Sequence, residues 1–119
     1  MSIAATRWAL AAAVAEVPGV QGHTYRPAVP VLGDAWPVLD GLDRAAGTAF
    51  TATWHVRVLL PTNEEQASEW IDEQWPALFE ALERVGFVGR AEPILLPVAV
   101  AGVGAGELLA FQITLIAEE

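Results

Sequence analysis

The chain has 119 residues, enough for one domain with its own core, and its net charge of −9 comes from fifteen acids against six arginines and no lysine. That balance leaves no basic run with which to neutralise phosphates, so tight nucleic-acid binding is disfavoured, and the absence of cysteine excludes disulfides, thiolate nucleophiles and cysteine metal sites. Apolar residues make up 54% and charged residues 18%, more apolar surface than a small domain hides inside itself, so part of it is expected against partner subunits.

The first expected element is an Ala-rich helix over residues 3–16, with Ile3, Leu10, Val14 and Val17 on one face and a stop at Pro18-Gly19. The same stretch, Arg7 followed by "WALAAAVA", can be read as a signal peptide; its short, mostly alanine apolar region favours the helix. Residues 19–27 read as a short strand with Val20 and Tyr25 as its apolar contacts. A long proline- and glycine-rich connection over 27–47 follows, in which "AWPVL" (35–39) pairs briefly at an edge or a bulge.

"TAFTATWHVRVLL" (48–60) alternates with a period of two. Phe50, Ala52, Trp54, Val56, Val58 and Leu60 point to a core, and Thr51, Thr53, His55 and Arg57 point the other way. After Pro61 a capping box, Thr62 with Glu65 or Asn63 with Gln66, opens a helix running to about Val85 and stopping at Gly86. Ala67, Ile71, Trp75, Leu78, Leu82 and Val85 share one arc of it, opposite Glu65, Glu69, Asp72, Glu73, Glu80 and Glu83, and Pro76 is expected to kink it. Two further strands, "FVGRAEPILLPVAVA" and "ELLAFQITLIA", flank a hairpin at "GVGAG" (102–106), with Leu109, Phe111, Ile113 and Leu115 on the core face of the second. The order predicts a single α+β domain over 1–119, an antiparallel β-sheet with two helices packed on one face, a long proline-rich loop and a β-hairpin. No stretch reaches the roughly eighteen unbroken apolar residues of a membrane span.

Candidate chemistry is sparse. His23 and His55 carry no His-x-His, HExxH or neighbouring Ser/Asp spacing, so each reads as a surface or interface histidine. Asp40 and Asp43 in "DGLDR" lack the spaced oxygen ligands of a calcium loop and read as an Asx-rich turn. In "GVGAG", Glu107 stands where a dinucleotide loop needs glycine, and a strand follows in place of a helix. No catalytic residue, metal or cofactor is expected. The acidic arc is a solvated face or, more sharply, a surface that repels a polyanion.

The helix ending in "VPGV", then "TYRPAVP", a proline-rich link, "DGLDR", the strand "WHVRVLL", an amphipathic helix and a last strand after a Gly-rich hairpin together resemble the tail-terminator, or tail-completion, proteins of long-tailed bacteriophages and related prophages. The resemblance covers nearly the whole chain in element order and length and carries no catalytic motif. It implies a structural virion protein: a homo-oligomer, a six-subunit ring, that caps the tail tube, stops its polymerisation and meets the head–tail connector protein. DNA would pass through the channel without tight binding. It places the protein in the virion neck after assembly in the host cytoplasm, with no membrane.

On that reading the contacts to a neighbouring subunit or the tube protein are expected from Thr51, Thr53, His55 and Arg57, from Trp36, Asp40, Asp43 and Arg44 in the 27–47 connection, and from the Gly102–Gly106 hairpin. Glu65, Glu69, Asp72 and Glu73 are candidates for the channel lining. The rival readings are another neck or head-completion protein, a small-ligand-binding α+β domain with Trp36 and Trp54 lining a pocket, and an enzyme.

Overall fold

The computed structural model describes residues 2–100 and 104–119, with the side chains from 98 to 106 outside the description. Ser2 caps the first helix, α1 (Ile3–Ala15), by accepting from the Ala5 N–H, and the chain leaves it at Glu16. Three strands follow, β1 (Gln21–Gly22), β2 (Asp34–Arg44) and β3 (Phe50–Leu59), then α2 (Glu64–Glu83) and the strands β4 (Phe87–Val100) and β5 (Gly104–Glu118). Of the two capping boxes open to α2, Asn63 with Gln66 is used: the Asn63 side chain accepts from the Gln66 N–H at 3.2 Å. The helix continues through Pro76, whose side chain is exposed.

The sheet runs β1-β2-β3-β5-β4. Every pair is antiparallel except β1 with β2, a two-residue parallel pairing of Gln21 with Asp34 and Gly22 with Ala35. Both helices pack on one face. Leu10 and Val14 of α1 and Ala67, Leu78 and Leu82 of α2 join Ala52, Trp54, Val56 and Val58 of β3 and Phe111, Ile113 and Leu115 of β5 in one core. The period of two sorts the side chains of β3 and β5 as the alternation requires, except that Phe50, expected in the core, stands 40% exposed at the start of β3. α1 lies over the β1–β2 end, so close that a Cβ on Gly22 would fall 2.1 Å from the Ala11 carbonyl oxygen; α2 lies towards β4.

Three further sequence expectations are corrected. The 27–47 connection is largely strand: β2 takes Asp34–Arg44 and leaves loops at 23–33 and 45–49. "DGLDR" is therefore not a turn; Gly41, Leu42, Asp43 and Arg44 pair with Thr53, Ala52, Thr51 and Phe50 after a bulge at Asp40. Weak strand formers are held there by a full partner ladder, and β2 is an edge beyond Ala35, which is where Pro37 is tolerated. The expected 19–27 strand shrinks to two residues: Val20 is buried, but Tyr25 stands 68% exposed. The hairpin tip at 101–103 lies outside the described residues.

Glu119 closes the core from the end of β5. Its carboxylate accepts from the Trp54 indole N–H at 3.3 Å and from the Thr6 hydroxyl at 2.9 Å, and both Trp54 and Thr6 are fully buried. Glu119→Ala takes this acceptor from the buried Trp54 indole N–H and from the Thr6 hydroxyl. The expected loss is about 1–3 kcal/mol, read from the shift of the urea midpoint at unchanged slope.

Candidate functional site

The face of the sheet turned away from the helices is where the sequence-predicted contact residues gather. Register places Thr51, Thr53, His55 and Arg57 of β3 beside Asp43, Val38 and Trp36 of β2 and beside Gln112, Thr114 and Ile116 of β5. Its centre is a cross-strand polar band. His55 sits between two partners, its Nδ1 3.0 Å from the Thr114 hydroxyl and its Nε2 3.2 Å from Asp40 Oδ1. Arg57 Nε donates to Gln112 Oε1 at 3.0 Å, and Arg90 donates to Glu92 at 2.8 Å.

Charge follows the geometry. Burial lowers the Arg57 pKa, and the nearby Arg26 lowers it further, with Asp40 pulling the other way. Glu92 is held below the usual carboxylate range by the hydrogen bond and the charge of Arg90, and Arg90 is raised in return.

Asp40, His55 and Thr114 stand in the order carboxylate, imidazole, hydroxyl, which is the order of a nucleophile relay. A relay also needs free N–H donors for the charge that develops on substrate. Here β3 and β5 are both paired on each side, so their amides are committed to the sheet ladders. The line instead ties the bulge of β2 across β3 to β5. His55→Gln keeps one of the two hydrogen bonds and is expected to cost about 0.5–1.5 kcal/mol, with assembly unchanged by light scattering. Loss of biological activity with fold and assembly intact would argue for the relay.

Sequence spacing could not reveal this band. Asp40 and Thr114 lie 15 and 59 residues from His55 and meet it only through strand register, and the bulge that turns Asp40 towards it leaves no mark of its own. His23 is engaged with Asp34 at 2.9 Å, and Asp34 also accepts from the Val31 N–H, which fixes the loop entering β2.

The other expected site residues are placed less uniformly. Trp36 is only 1% exposed and packs with Leu59, Leu96 and Ala110 on the helix-free face, beneath the 23–33 segment. Arg26 of that segment lies 5.8 Å over the Trp36 ring and donates to the Pro97 carbonyl. Trp36 is therefore an internal residue and is withdrawn from the contact surface. Trp54 is fully buried as well, on the helix-covered face. Asp43 is exposed on the same face as Thr51, whereas Arg44 falls on the other face and closes the β2–β3 turn through the Gly47 carbonyl. Glu65, Glu69, Asp72 and Glu73 are all exposed along α2.

Among the described residues, no three His, Asp or Glu side chains are grouped to hold a metal ion, and no helix is long and apolar enough to cross a membrane. No protein-family model matches the chain, and no curated protein matches it in sequence.

Proposed function

We propose that the protein is a tail terminator of a long-tailed bacteriophage or related prophage: a ring that caps the tail tube, stops its polymerisation and joins it to the head–tail connector. The observation that carries this reading is the apolar surface left uncovered at both ends of the strand order. Trp8 and Tyr25 stand out beside α1 and β1, and Phe87 and Leu95 stand out on β4, each more than 60% exposed. A chain with contact surfaces at two opposite ends joins head to tail, and closed cyclic symmetry satisfies such contacts without runaway growth.

The polar band on the helix-free face suits a contact that needs register more than affinity, since its charges are already partnered. The acidic face of α2, with Glu65, Glu69, Asp72 and Glu73, suits a channel in which DNA slides, because carboxylates do not hold phosphates. Light scattering of the chain alone and with tail tubes tests the assembly. The expected particle has six times the chain mass of 12.7 kDa, and a monomer under both conditions overturns the reading.

A further inference from the structure

We propose that Arg26 and Arg57 form an anion site on the helix-free face that takes a carboxylate side chain of the neighbouring copy in the ring. The inference rests on the ring reading and names the group that seats the contact.

The two cations meet at one aromatic ring. Arg26, exposed on the 23–33 segment, lies with its guanidinium carbon 5.8 Å from the Trp36 centroid, and Arg57 stands opposite Trp36 across the β2–β3 ladder. Each is oriented by a neutral oxygen. Arg26 donates through Nη2 to the Pro97 carbonyl at 3.3 Å, and Arg57 donates through Nε to Gln112 Oε1 at 3.0 Å. These bonds fix the groups and leave their charge unanswered. A guanidinium carries five N–H donors, so one bond apiece leaves most of each fork open to a ligand. Arg57 is also half-buried, where an opposite charge is worth more than in open water.

Like charges side by side disfavour one another, and after burial it is Arg26 that lowers the Arg57 pKa most. Asp40 pulls the other way from its place beside His55. Two cations against that one carboxylate leave a surplus of one positive charge, which suits a monoanion. A carboxylate is singly charged and planar, and it matches the guanidinium fork with two parallel hydrogen bonds.

The other four arginines are spoken for. Arg84 holds Glu16 and Arg90 holds Glu92, Arg7 stacks on Tyr25 and Trp54, and Arg44 closes its own turn through the Gly47 carbonyl. Fifteen acids stand against these six arginines, so a second copy offers carboxylates in excess, and the Arg26–Arg57 pair is where its neighbour receives one. A DNA phosphate is the disfavoured ligand. Two arginines with Asp40 beside them do not offset the repulsion from a chain of net charge −9.

The test compares self-association of the full chain, free and on tail tubes, in acetate and in chloride at equal ionic strength. Acetate is expected to weaken the parent's association more than chloride does, because the small carboxylate competes for the site. Arg26→Gln and Arg57→Gln are each expected to associate about 10-fold or more weakly than the parent and to lose the difference between the two anions. Circular dichroism and the thermal transition check the fold, and Arg26, being exposed, keeps the test open should Arg57→Gln disturb the sheet. Arg57→Lys keeps the charge and is expected to recover part of the association. Variants that assemble like the parent, or a parent that responds alike to both anions, overturn the carboxylate site while leaving the ring reading in place. DNA binding at physiological salt that is lost in Arg57→Gln makes phosphate the ligand and overturns it too. A parent chain that stays monomeric both free and on tail tubes overturns both readings.

Discussion

Cutting the chain before Leu108 is expected to abolish the cooperative thermal transition. β5 is the strand on which the sheet depends, paired with β3 along one side and β4 along the other, and among the described residues β4 has no other strand neighbour. It also supplies Phe111, Ile113 and Leu115 to the core, each nearly or fully buried. Large side chains of this kind contribute about 1.5–3 kcal/mol apiece, against a total stability of about 5–15 kcal/mol for a domain. Losing all three together with two ladders of hydrogen bonds leaves no folded alternative. Differential scanning calorimetry of the shortened chain decides the point, and a sharp transition within a few degrees of the parent's would show the stripe to be peripheral.

Trp54→Ala is expected to be the most damaging single substitution at a core position. The indole is fully buried in the centre of β3, its N–H is held by Glu119, and the Arg7 guanidinium lies 5.1 Å from its centroid. That guanidinium also stacks on Tyr25 at 4.7 Å and donates to the Pro37 carbonyl, so one ring supports the packing of α1, β2 and the segment after β1 at once. Removing it leaves a cavity and takes one of two donors from the Glu119 carboxylate and one of two aromatic rings from Arg7. The expected loss is about 3–5 kcal/mol, measured by urea unfolding. Trp54→Phe keeps most of the packing and loses the N–H bond, and it is expected to fall between the two. A loss below about 1 kcal/mol for Trp54→Ala would contradict the placement of this ring at the centre of the core.

The elements with the strongest periodicity were legible in the sequence because packing on one face imposes it. The alternation of Ala52, Trp54, Val56 and Val58 is the core face of β3, and Ala67, Leu78 and Leu82 are the buried side of α2, just as the helical wheel sorts them. What escaped was set by neighbours. "DGLDR" has the composition of a turn, and the ladder from β3 holds it as a strand. Trp36 reads as a surface aromatic until the 23–33 segment is seen to cover it, and that segment has no period to announce its path. In the polar face of β3 the residue types were visible, but not that Asp40 and Thr114 would meet His55, since a bulge and a register decide it.

Tail tubes polymerising in the presence of the purified protein test the central claim most directly. By electron microscopy, labelled protein is expected as a single ring at one end of each tube. Elongation is expected to halt once the ring is seated, while the protein binds no free DNA at physiological salt. Protein coating the length of the tube, tight binding to DNA, or tubes that lengthen as though the protein were absent would contradict the account.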